Sequence, residues 1–141
     1  MTDAVVQELD EAECLRLVQS QEVGRIAYNG RYGPMVLPVN YRLFEGSIVF
    51  RTAQGSAMDE DLTTGIAHAE YNIAFEIDEL SPARREGWSV LIHGSAHHVT
   101  DQAERAAVAQ ADVTPWAGGV RDLYMRIRPI HITGRRISHP G

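Results

Sequence analysis

From Val23 onward, apolar residues tend to fall at every second position, and the runs are separated by tight glycine turns. Ile73, Phe75 and Ile77 alternate with Glu76 and Asp78, and residues 123–128 and 130–137 alternate in the same way around Pro129. A period of two puts one set of side chains on each face of a strand. Strands joined by short turns, with no helix returning the chain between them, make an antiparallel sheet and exclude the doubly wound parallel folds. Closure into a barrel removes the exposed edges such a sheet would otherwise present.

The pattern divides as follows. Residues 1–8 carry no period and are expected to be loosely ordered. Asp10 with Glu13 has the spacing of a helix-capping pair, and Cys14, Leu15, Leu17 and Val18 form one stripe, so a short helix is expected over 11–20. Strands follow at 23–29, 34–43 and 48–52, with turns at Asn29-Gly30 and Glu45-Gly46; Pro38 marks an edge or bulge because proline donates to no ladder. Residues 56–66 read as a weak helix or loop, 72–78 as a strand, 79–87 as a charged connector and 88–99 as a strand bent or closely packed at Gly94. Asp101 with Glu104 opens another short helix, residues 112–119 form a loop, and two last strands flank Pro129. The expected fold is mainly β: a six- or seven-stranded antiparallel split barrel with two or three short helices, one domain over 1–141.

Composition limits the partners. The chain has 141 residues, 44% hydrophobic and 23% charged, as in an ordinary globular domain. Its net charge of −6, without a dense run of Lys or Arg, argues against nucleic acid as a partner. No apolar run reaches membrane-spanning length and the N-terminus lacks a signal-peptide pattern, so a cytoplasmic location is the expectation. The one cysteine, Cys14, sits in the apolar stripe of the first helix and reads as core. His93, His97 and His98 have no cysteine nearby to complete a ligand set, and no metal is expected there.

The candidate site is the end of the third strand. Phe50-Arg51-Thr52-x-x-Gly55-Ser56 sets a guanidinium, two hydroxyls and a flexible backbone on one turn. Arg grips phosphate oxygens through paired donors, and glycine lets backbone amides turn toward an anion. An ordinary strand end with a solvated Arg has the same composition, so this stretch alone leaves both open.

With Val23-Gly24-Arg25-Ile26-Ala27, Pro38-Val39-Asn40-Tyr41, Phe75-Glu76-Ile77-Asp78, Gly87-Trp88-Ser89-Val90 and Ile132-Thr133-Gly134-Arg135-Arg136, this motif completes an ordered set over about residues 9–137. In that order the set resembles the pyridoxamine 5′-phosphate oxidase-like flavoproteins, nearest to small actinobacterial-type flavin or deazaflavin reductases. The resemblance implies a homodimer with FMN at its interface. Arg51, Thr52, Gly55 and Ser56 would hold the phosphate. Pro38, Val39 and Asn40 would pass the ring, Trp88 and Ser89 would reach it from the other subunit, and Trp116 would form part of a lid. Relatives commonly carry a Lys after the Gly-Ser turn; here Ala57 stands there, followed by Asp59, Glu60 and Asp61. The implied activity is an FMN-dependent oxidoreductase acting on a small planar substrate. The alternatives are a deazaflavin (F420) reductase, or a flavin- or haem-binding module without turnover. F420 ranks second because its acidic tail would meet the acidic run. No catalytic side chain is identified, since the flavin itself carries the redox chemistry.

Overall fold

The computed structural model describes residues 3–62 and 71–139, with Tyr71 known by its backbone alone. Ten elements follow one another: β1 (Val5–Leu9), α1 (Glu11–Gln19), β2 (Val23–Gly30), β3 (Gly33–Phe44), β4 (Ser47–Thr52), α2 (Ala57–Asp61), β5 (Tyr71–Ser81), β6 (Glu86–His98), α3 (Gln102–Ala109) and β7 (Leu123–Ser138). The strands are mutually antiparallel in the order β1-β7-β4-β3-β2-β5-β6, and a β6–β7 pairing closes six of them into a barrel. On one edge of β7, β4 takes residues 123–127 and β1 takes 134–138. The stretch between is where the barrel is split.

Period-two residues fill the inside. Ile26, Phe50, Phe75, Ile77, Ile92 and Ile127 are fully buried, with Tyr41 edge-on to Phe75 at 5.4 Å between ring centres. Helix α1 plugs one end with Cys14, Leu17 and Val18, and its Val18 carbonyl accepts from the Tyr41 hydroxyl. Close packing explains two glycines. A Cβ on Gly24 would lie 2.3 Å from the Phe75 ring, and one on Gly94 would lie 2.3 Å from the Arg128 carbonyl oxygen. Both expected helix caps form: Asp10 Oδ1 accepts the Glu13 amide and Asp101 Oδ2 accepts the Glu104 amide, each at 2.9 Å.

A second cluster, Val49, Val99, Val108 and Val113, packs on the outside of the barrel. It covers β4, which is buried on both faces: Ile48 and Phe50 look inward, while Val49 looks out under α3 and the loop that follows it. That cover gives Arg51, on the Val49 face, its surroundings.

Four expectations are corrected. Residues 5–9 are not loosely ordered: they pair with β7 from Val5↔Ser138 to Leu9↔Gly134. The 79–87 segment is mostly strand, since β5 and β6 stay paired out to Ser81↔Glu86. The first hairpin turns at Arg31-Tyr32, inside a Gly30↔Gly33 pair, two residues beyond the expected Asn29-Gly30. Pro129 does not break β7. His93 pairs with His131 and Gly94 with Pro129, so Ile130 bulges out and the strand continues. Pro38 lies where β3 pairs with β2 alone, an edge position. Residues 63–66 of the weak-helix expectation lie outside the described residues.

Candidate functional site

Strands β3 and β4 form a ladder only from Phe44↔Ser47 to Tyr41↔Phe50. One step further, Asn40 and Arg51 stand across from each other as the strands part. Both point outward, opposite to the buried Tyr41 and Phe50, and the 110–122 loop spans the opening above them. Asn40 Oδ1 accepts the Trp116 amide at 2.8 Å. Arg51 Nε donates to the Arg121 carbonyl at 2.7 Å, its Nη1 donates to the Val113 carbonyl at 3.3 Å, and its guanidinium lies 5.4 Å from the centre of the Tyr124 ring. Arg51 is therefore a clasp for the loop, with part of its donor set spent on main-chain oxygens.

Past Arg51 the chain turns at Gly55, whose φ of +77° is the left-handed conformation glycine tolerates. Ser56 caps α2 by accepting the Asp59 amide at 3.1 Å, and its hydroxyl lies 3.1 Å from that of Thr52. The Asp59 carboxylate then folds back. One oxygen accepts the Gly55 amide at 2.7 Å, and the other is 2.7 Å from His98 Nε2. The amide that a bound anion would seek is already held by a carboxylate of the same chain. Asp61 and Glu60 pair with Arg31 at 2.8 and 3.0 Å. Arg25, a possible substitute for the missing Lys, is paired with Glu76 and Asp78 at 3.1 and 3.3 Å.

Six expected residues thus form one connected region: Asn40, Arg51, Thr52, Gly55, Ser56 and Trp116. Pro38 and Val39 lead into it along β3. Trp88 and Ser89 do not join it within one chain. Trp88 pairs with Arg136 and Arg51 with Tyr124, which sets them twelve positions apart along β7, roughly 40 Å of strand path. Trp88 is only 8% exposed and packs in the barrel core, while Ser89 opens on a recess of about 390 Å³ at the split, together with Glu8, Thr133 and Arg135. The histidines go to separate places: His93 stacks with His131 across the β6–β7 ladder, His97 meets Glu104 at 3.1 Å, and His98 joins Asp59.

Sequence reasoning missed the roles of Asp59, His98 and Tyr124. A signal for Asp59 was present: Ser56-x-x-Asp59 has the spacing of a capping pair, which brings an acid back to the turn. Nothing local announces His98, which arrives from β6, 39 positions away.

Comparison with known proteins bears on what such a barrel holds. The family model described as pyridoxamine 5′-phosphate oxidase matches residues 10–136. The chain belongs to that family. Among curated relatives, the uncharacterized Mycobacterium tuberculosis protein Rv0080 is 35% identical over 132 residues, covering 94% of this chain and 86% of its own. A Corynebacterium glutamicum structure assigned to the pyridoxamine 5′-phosphate oxidases superposes with a TM-score of 0.77 at 28% identity, covering 96% of each chain. The structure of a Mycobacterium smegmatis protein described as FAD-binding superposes at 0.75 with 30% identity, covering 92% of this chain and 98% of its own. This family's split barrel is thus one in which a solved neighbour binds flavin. No helix among the described residues is long and apolar enough to cross a membrane.

Proposed function

We propose that the chain holds a flavin nucleotide where β3 and β4 part, at the interface of two copies, and passes electrons between it and a small planar partner. The carrying observation is the likeness to the mycobacterial FAD-binding protein over nearly the full length of both chains. When bound, the flavin supplies the electron exchange. The chain supplies a place for it: the Pro38–Asn40 backbone for the polar edge of the ring, and Thr52 and Ser56 for the ribityl or phosphate oxygens.

The fit to a terminal monophosphate is partial, because Asp59 holds the Gly55 amide and Arg51 is committed to the loop. This favours FAD, whose phosphates are diesters carrying one negative charge each, over FMN, whose terminal phosphate is a dianion. The acidic run of Asp59, Glu60 and Asp61 disfavours the acidic tail of a deazaflavin.

The second copy belongs on the outer face of β2, β5 and β6. Two adjoining grooves there, of about 520 and 340 Å³, share Ala27, Val36 and Ala74, and Ile130 at their edge is exposed. An apolar face of this kind marks an interaction surface. Leu91 belongs both to this face and to the recess of Ser89, so pairing there would bring Ser89 toward the other copy.

Titration of the purified protein with FAD, FMN and riboflavin, read by flavin fluorescence, tests the reading, alongside light scattering for the mass in solution. A Kd weaker than about 1 mM for all three, the range of non-specific contact, overturns it. Anaerobic photoreduction followed by quinones or nitroarenes then separates turnover from storage. Reoxidation no faster than that of free flavin would leave a binding module.

A further inference from the structure

One row of side chains crosses the outer face of β2, β5 and β6 without a break in register. Val36 pairs with Ala27, Ala27 with Ala74, Ala74 with His93, and His93 with His131. Residues opposite one another in a ladder share a face, so three apolar side chains stand in line with two imidazoles. Both ends of the row are open to solvent: Val36 is 62% exposed, and the two histidines are exposed. The bulge beside Pro129 pushes Ile130 out next to His131, and His93 and Ile130 line the larger groove together.

The two rings lie 6.2 Å apart between centres, with planes 29° from parallel. Among the described residues, neither ring makes a hydrogen bond or an ion pair. The charges around them stand at least one row away: Glu76 and Asp78 on β5, Arg25 on β2, and Arg128 and Arg135 on β7. Arg25 is already bonded to Glu76 and Asp78, and residues 34–38 of β3 carry no charge. A neutral imidazole is a flat ring that apolar groups can cover. A protonated one carries a charge that is costly to bury unpaired, and two in one row repel each other. Histidine makes that change between about pH 5 and 8.

We propose that His93 and His131 make contact between two copies through this face a pH switch: the copies join when the imidazoles are neutral and separate when they are protonated. This switch rests on the pairing of copies through the same face. Joining releases protons that the separate copies hold, so affinity falls as pH falls. Histidine free in water titrates near about 6.5. With one imidazole in each copy required to be neutral, affinity falls about 100-fold between pH 7.5 and 5.5. Glu76 acts in the opposite sense. Burial raises its carboxyl to about 7, and its protonation on acidification removes a charge from the face to be covered.

Sedimentation of the protein as purified, over a dilution series at pH 7.5 and 5.5, gives the dissociation constant at each. EDTA keeps metal ions from bridging the imidazoles, and circular dichroism checks that the barrel is intact at both values. The wild type is expected to associate at pH 7.5 and to weaken about 100-fold at pH 5.5. The double variant His93→Gln, His131→Gln keeps polar side chains that do not titrate, and is expected to associate at least as tightly at pH 5.5 as at 7.5. Dilution calorimetry of the wild type at pH 6.5, in two buffers of different ionisation heat, counts protons without any variant; uptake of about one per separating pair is expected. A wild-type constant that is the same at both pH values overturns the switch alone. So does an equal loss in the double variant, or separation without proton uptake. A wild type that stays a single copy at pH 7.5 and about 100 µM overturns the pairing of copies, and the switch with it.

Discussion

The Asp59 carboxylate accepts the Gly55 amide at 2.7 Å, so the turn that would cradle a phosphate carries its own anion. A phosphate dianion approaching the turn meets a like charge and an occupied donor, which at a few ångströms costs more than one hydrogen bond returns. Asp59→Asn removes the charge and keeps one oxygen to accept from Gly55. The variant is expected to bind FMN about ten-fold tighter while riboflavin, which lacks the phosphate, is unchanged. Equal gains for both ligands in parallel fluorescence titrations would show that the effect is not electrostatic.

Gly134 on β7 touches the buried Cys14 of α1: a Cβ there would lie 2.6 Å from Sγ and 3.2 Å from the Ser89 carbonyl. Gly134→Ala is therefore expected to destabilise by about 1–3 kcal/mol, the usual cost of overfilling a core. Cys14→Ala, which withdraws the sulfur, should recover part of that loss in the double variant. Urea midpoints of the four proteins give the coupling directly.

Much of this was legible in the sequence. The inward face of β5 follows from alternation alone, and the caps at Asp10 and Asp101 from three-residue spacings. What escaped is what lies far away in sequence. Strand β1 shows no period because nearly all of Val5–Leu9 is exposed, and its partner, Gly134–Ser138, lies at the other end of the chain. The 79–87 stretch reads as a loop because its side chains are polar, yet main-chain pairing with the neighbouring strand keeps it extended. Arg51 was legible as a residue of the site, but its partners are carbonyls of a loop more than sixty residues away, and carbonyls leave no mark on composition.

Burial and the neighbouring Asp78 push the Glu76 carboxyl up from 4.5 to about 7, against the pull of Arg25. Between those values the folded chain holds a proton that the unfolded chain has released. Stability from this group is present at low pH and falls as pH rises through that window. Glu76→Gln removes the dependence. It should raise Tm by about 2–4 °C at pH 8, equivalent to about 1 kcal/mol for a partly solvated group, and have little effect at pH 4.5. Thermal melts of both proteins from pH 4.5 to 8 test this.

Arg51→Met keeps the length of the side chain and its contact with Tyr124 but removes both carbonyl tethers. The 113–121 loop should then open more often, and trypsin should cut after Arg121 several-fold faster than in the wild type, with the barrel otherwise intact. Unchanged cleavage at that site would mean that Asn40 and the buried Val113 suffice to hold the loop.

Strand β7 pairs with β1, β4 and β6, so the first strand of the chain, two from its middle and the last are joined through one ladder. During synthesis none of those three edges can be covered until residues 123–138 have left the ribosome. The β2-β3-β4 meander can assemble early, but it waits as an open sheet, with Val49 and Ile48 both uncovered. Most of the delay and most of the aggregation risk in folding this barrel should therefore fall in the interval before β7 is available, when chaperone occupancy matters most.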